Sequence, residues 1–194
     1  MRILEFLNTI QEPGPSQYKV QPLSSDLQEH LRKTLKSKTL AKNEYLLKEG
    51  DTSRRVSFIE SGLLRCFYLS KGKDVNRWFM SEGDVVFSVS SFYMQQPSYE
   101  YIQALEPSQL FYITHDELYE IYYRFPEFQR IGLVLTGKYY LLSDQLSFVK
   151  SKPPRERYEW LVTNQQELLQ RVASKHLASY LGITSEYFSR IKRK

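Results

Sequence analysis

Three features of this 194-residue chain predict an α+β architecture, an antiparallel β jelly roll followed by a long helix and a small helical unit. One is a region of short strand-like runs with a glycine at each corner. Another is a seven-residue apolar repeat between Glu127 and Val149. The last is a C-terminal stretch of helical apolar spacing broken by a single glycine. The segments implied are 1–125, 126–150 and 151–194.

Residues 2–11 predict a short helix with Ile3, Leu7 and Ile10 on one side, stopped at Pro13-Gly14-Pro15. A second helix starts near Ser24 or Ser25, where Gln28 is placed for a capping box and Leu27, Leu31 and Leu35 form the stripe. From about Lys42 the pattern turns to strands. The runs are 45–48, 56–60, 63–69, 75–80, 85–89, 99–105 and 109–114, with Gly50, Gly62, Gly72 and Gly83 at the corners. Short strands at that spacing suggest a sandwich or jelly roll.

Asp116 to Tyr123 predicts a helix closed before Phe125-Pro126. A longer one runs from about Glu127 to Val149. Phe128, Leu135, Leu142 and Val149 recur every seven residues, with Ile131 between them, as in a coiled-coil seam with a second copy of the chain. Packing of that face on the strand domain is the alternative. Pro153-Pro154 ends the helix, and Arg155 to Asn164 opens the last unit with Tyr158, Leu161 and Val162 facing inward.

The stretch Ser174 to Ile191 predicts two short helices meeting across Gly182, with Leu177, Leu181, Ile183, Phe188 and Ile191 as their inner positions. Glycine suits the turn because it adopts positive φ without strain, and small Ala178 lets the helices cross closely. Thr184 is an N-cap candidate. This is a helix-turn-helix pattern. Its second helix turns Ser185, Glu186, Ser189 and Arg190 outward as candidate base readers, since Arg can fork onto guanine and Glu can accept from cytosine. Lys175, Thr184, Lys192, Arg193 and Lys194 are candidate phosphate contacts. The alternative is an ordinary surface pair between Glu186 and Arg190, four residues apart.

Charge supports the DNA reading. Residues 150–194 carry ten Lys/Arg and four Asp/Glu, a net +6, whereas the rest carries 17 and 18, a net −1. The whole positive excess lies where phosphate binding needs it. One cysteine, Cys66, excludes an internal disulfide and a Cys-ligated cluster, and suits a reducing cytoplasm. The N-terminus lacks the shape of a signal peptide, and no apolar run reaches membrane-spanning length, so a soluble cytoplasmic protein without membrane contact is expected. His30, His115 and His176 are too scattered for a metal site, and no catalytic constellation is present. Neither a cofactor nor an enzyme activity is expected, which argues against a cupin-like enzyme.

Glycine-cornered strands, a seam helix and a terminal helix-turn-helix in this order resemble the Crp/Fnr family of transcription regulators, over nearly the whole chain. The resemblance implies a cyclic-nucleotide-binding-like jelly roll, a homodimer joined by the long helix, and double-stranded DNA as partner. Glu186, Ser189 and Arg190 match the spacing of the Fnr branch, whose Glu and Arg read a TGA-like half-site; Ser185 departs from members with Arg there. Family members follow the Gly-Asp corner with Gly-Glu, then Arg-Ser or Arg-Thr, which hold ribose and cyclic phosphate. Here Gly83-Asp84 is followed by Phe87-Ser88, and the second position reads Ser98-Tyr99. Tight binding of cAMP in the usual mode is therefore not expected.

The implied effector pocket is lined by Phe87, Ser88, Phe92, Tyr93, Ser98 and Tyr99, with Ser143 and Asp144 of the long helix near it. It would take a small molecule other than cAMP, or none. The oxygen-sensing cluster ligands of the Fnr branch are missing too. The sequence stops at Lys194, so a wing-less subtype with more salt-sensitive DNA binding is expected. The competing function is a sensor that acts through protein partners, its terminal helices serving as a docking module.

Overall fold

A computed structural model describes residues 2–10 and 22–193, so the stop at Pro13-Gly14-Pro15 lies outside the described residues. Helices α1 (Arg2–Thr9) and α2 (Ser25–Thr34) lead into β1 (Lys36–Leu40), β2 (Tyr45–Leu47), β3 (Arg55–Ser61), β4 (Leu64–Ser70), β5 (Lys73–Met80) and β6 (Val85–Val86). Then come α3 (Val89–Met94), β7 (Tyr101–Ala104), β8 (Ser108–Thr114), α4 (His115–Arg124) and α5 (Pro126–Lys150). The chain closes with α6 (Pro154–Asn164), α7 (Leu168–Arg171), α8 (Ser174–Leu181) and α9 (Ser185–Lys192).

The strands form two antiparallel sheets, ordered β1-β8-β3-β6 and β2-β7-β4-β5, which is the jelly roll the sequence suggests. Leu47, Ile59, Leu64, Ile102, Ala104 and Leu110 fill the space between them. A second core lies on the outer face of the first sheet, where Phe58 and Ile113 meet Leu27 and Leu31 of α2, Ile121 of α4 and Ile131 of α5. The third core belongs to the last four helices and reaches back to Leu63 and Phe79.

Local chemistry explains the boundaries. Thr114 and Glu117 form a capping box that starts α4 directly from β8. Pro126 opens α5 at its first turn, where a missing amide costs nothing. Gly62 has φ +108, and a Cβ there would stand 2.2 Å from Ser108 Oγ, so this corner requires glycine. At α2 the box is only half made: Ser24 accepts from the Leu27 amide at 3.3 Å, but Gln28 donates to the Leu23 carbonyl instead.

Several elements depart from expectation. β1 precedes Lys42; it is an edge strand with Leu40 its one buried residue, so polar Lys36 to Thr39 hide it. The run from Val85 to Val89 stops at Val86, and α3 begins at Val89. The four-residue helix α7 has no apolar period of its own. Val162, expected inside, is 37% exposed, while Leu161 is fully buried.

Candidate functional site

Local contacts fix where α9 sits among the C-terminal helices. Gly182 ends α8 in the left-handed region (φ 65°, ψ 37°), which breaks the helix sharply and sends the chain into α9. Arg157 of α6 pins that corner, donating from Nη1 to the carbonyls of Leu181 at 3.0 Å and Gly182 at 3.1 Å. Thr184 caps α9, its hydroxyl accepting from the Tyr187 amide at 3.2 Å. Leu177, Ala178, Leu181 and Phe188 are buried where the helices cross, and the Phe188 ring sits edge-on to Tyr158 at 5.4 Å.

Ser185, Glu186, Ser189 and Arg190 are all exposed on α9, on the side away from Phe188. Glu186 and Arg190 do not spend themselves on one another. Arg190 lies over the Tyr187 ring at 5.0 Å. The Glu186 carboxyl is held below its ordinary range by its own backbone amide first, then by the Thr184 hydroxyl, with Lys73 also contributing. A carboxylate, a guanidinium and two hydroxyls are thus exposed together on a short capped helix. Lys175, Lys192 and Arg193 are exposed around it, and Lys194 lies outside the described residues.

The opposite side of this unit is docked on the strand domain. β5 is an edge strand, and Ser179 of α8 closes its free edge: the hydroxyl donates to Asp74 O at 2.7 Å and accepts from the Asn76 amide at 3.0 Å. Tyr180, 2% exposed, meets Phe79 edge-on at 5.2 Å. Arg171 spans Glu82 and Glu106, at 2.9 and 2.5 Å. Burial opposes it, but the bonds from Arg171 and the backbone amides of Glu82 and Gly62 hold the Glu82 carboxyl down at about 2. His176 of α8 is half-buried and tucked against Arg65, with Nη1 and Nδ1 2.9 Å apart. The sequence offered no sign of that contact, because the two residues stand 111 positions apart and share no pattern.

The expected effector pocket is largely filled by its own residues. Phe92 is fully buried, with Phe87 edge-on at 5.1 Å and Tyr93 at 5.6 Å, so it is core. Tyr93 and Tyr99 are half exposed, at 51% and 50%. Ser143 is exposed on α5. Ser88 and Ser98 are buried together, but against Glu100 and Arg77, which the sequence reading overlooked. The available signal was a two-residue period running into β7: Ser98, Glu100 and Ile102 are buried, with Tyr99 and Tyr101 between them more exposed.

The seam on α5 also differs from expectation. Phe128 and Ile131 are 7% and 1% exposed and lie with partly buried Leu135 in the core under α1 and α2; Val149 is 6% exposed. Leu142 is only partly exposed. These residues are covered within one chain, so the strand-domain alternative holds for most of them. The exposed apolar face is Leu133 (72%), Tyr140 (73%), Leu141 (46%) and Phe148 (62%). Among the described residues no group of three or more His, Cys, Asp or Glu is arranged to hold a metal, and no helix is long and apolar enough to cross a membrane.

Residues 37–124 match the family described as the cyclic nucleotide-binding domain. No curated protein matches the chain by sequence. Among solved structures, FixK2 of Bradyrhizobium japonicum is 18% identical, with a TM-score of 0.68 over 82% of this chain and 83% of that one. CLP of Xanthomonas campestris, a c-di-GMP-responsive global regulator, is 14% identical, with a TM-score of 0.69 over 88% and 90%. A chain from Eubacterium rectale ATCC 33656, described as a transcriptional regulator of the crp/fnr family, is 15% identical, with a TM-score of 0.70 over 88% and 82%. Residues 37–124 thus match the cyclic nucleotide-binding domain family, and the fold of the chain is similar to that of these solved structures.

Proposed function

We propose that this chain is a dimeric, sequence-specific DNA-binding transcription regulator of Crp/Fnr type, with 37–124 as its sensor domain and α8–α9 as its helix-turn-helix. The observation that carries the reading is the outer face of α9, where Glu186, Ser189 and Arg190 are exposed and Arg190 lies over Tyr187 rather than on Glu186. A helix of that diameter enters the major groove, where Arg forks onto guanine and Glu accepts from cytosine N4. Exposed Lys175, Lys192 and Arg193 supply phosphate contacts beside it.

Dimerisation is read on the exposed stripe Leu133, Tyr140, Leu141 and Phe148, rather than on the covered residues of the heptad. Four large apolar side chains on one helix are an association surface, because water contact with such a stripe is unfavourable. Two copies joined along α5 would offer two α9 helices to two half-sites.

Selection of random duplexes by the purified protein tests the reading. The expected product is a palindrome with half-sites about one helical turn apart. Recovery of no motif, with or without added small molecules, would move the protein-docking function ahead.

A further inference from the structure

The interior of the strand domain holds a charge pair that the DNA reading does not use. Glu100 is 5% exposed, and Ser88 and Ser98 beside it are 0% and 3% exposed. One carboxylate oxygen accepts from Ser88 Oγ at 3.1 Å. The other takes Nη1 of Arg77, which reaches over from β5 and also donates to the Tyr99 hydroxyl at 2.7 Å. Ser98 completes the group, its Oγ 3.0 Å from Ser88 Oγ and accepting from the Glu100 amide at 3.0 Å.

A buried carboxylate stays charged only when a cation and hydroxyl or amide donors surround it. A guanidinium with a hydroxyl is the donor set that grips a small oxyanion from solution. Here those donors are already taken up by the chain itself. Their placement matters for order: Ser88 stands immediately before α3 and Ser98 shortly after it, so the carboxylate ties the start of that turn to Arg77 of β5, and Ser98 joins the other end through Ser88 Oγ and the Glu100 backbone.

We propose that Glu100 is a built-in anion: its carboxylate occupies the donors that Arg77 and Ser88 offer, orders the α3 turn without an external ligand, and excludes phosphate-bearing effectors from those donors. The proposal rests on reading 37–124 as the sensor domain and is independent of DNA recognition. A phosphate approaching Arg77 and Ser88 meets a like charge and must first expel a paired, buried side chain.

The test is chemical rescue in the full-length protein. Glu100→Ala should melt several degrees below the parent in sodium chloride. Sodium acetate or formate at the same ionic strength should restore much of that loss and leave the parent unmoved. The double substitution Glu100→Ala with Arg77→Met should lose the rescue. An equal response of Glu100→Ala to acetate and chloride would overturn the proposal. If that variant does not fold in chloride, refolding in acetate reads the same property: recovery in acetate alone supports the built-in anion, and recovery in neither overturns it. Arg77, whose side chain is partly exposed, gives the reciprocal variant, since Arg77→Ala should be stabilised by methylguanidinium and not by acetate. Cyclic AMP should leave the melting temperature of the parent unchanged, and a rise would overturn the exclusion of phosphates. None of these readouts involves DNA, so their failure and failure of the recognition-helix assignment are distinguishable.

Discussion

Arg65 on β4 and His176 on α8 meet across the junction between the strand domain and the terminal helices, Nη1 to Nδ1 at 2.9 Å. A guanidinium only donates, so the imidazole accepts at Nδ1 and carries its hydrogen on Nε2. Arg65 is 6% exposed and is held by Asp74 at 2.7 Å and by Gln103, so it cannot swing away to make room for a second cation. The junction is therefore built for a neutral histidine.

Docking of the terminal helices should weaken in acid for this reason. Burial first, then the charges of Arg65 and Lys175, push His176 from 6.5 down to about 4, with Asp74 opposing. Between those values the undocked or unfolded state binds the proton and the docked state does not, so stability falls as pH drops through that window. The parent should show a falling melting temperature and rising protease cleavage near α8 from pH 6.5 toward 4. His176→Gln, which can still accept from Arg65, should flatten that part of the profile. An unchanged slope in the variant would assign the effect to other groups.

Gly182→Ala should destabilise the terminal helices by about 1–2 kcal/mol, the cost of a side chain in the left-handed region. The new Cβ would also stand 3.3 Å from Arg157 Nη1, which holds the same corner. The loss should appear in thermal unfolding, with the strand domain's own near-ultraviolet signal retained.

Arg190→Ala should cost about 1–3 kcal/mol on the selected duplex and relax preference at one base pair, as expected of a lost guanine fork. Lys192→Ala should weaken all duplexes alike and lower the salt slope by about 1. Affinity titrations on matched and single-mismatch duplexes at several salt concentrations separate the two. Equal behaviour of the two variants would remove Arg190 from the reading face.

Legibility in the sequence followed how local the cause was. The two helices around Gly182, the capping threonine and the corner glycines announce themselves within a few residues, and each stands where the spacing puts it. Pairings that depend on distant chain were hidden: Arg65 with His176, Arg171 with Glu82 and Glu106, and Arg77 with Glu100. Nothing in a single run distinguishes such a residue from a solvated charge. β1 was missed because an edge strand shows polar residues to water. The α5 seam was misjudged because one helix carries two apolar faces, and a heptad count does not say which of them its own chain covers.

Those two faces give opposite mutational behaviour. Leu133→Glu or Phe148→Glu adds charge to side chains that are 72% and 62% exposed in the single chain, so the fold should survive. If copies associate along that stripe, either variant should sediment as a monomer with an intact far-ultraviolet spectrum. Ile131→Ala, one residue from the helix's other face, instead opens a cavity in the core it shares with Leu27, Leu31 and Ile121, at about 2–5 kcal/mol. Its loss should register as a lower melting temperature with the association state unchanged up to unfolding. Should Leu133→Glu and Phe148→Glu leave sedimentation as it was, α5 is not the joining surface, and two half-sites would have to be met some other way.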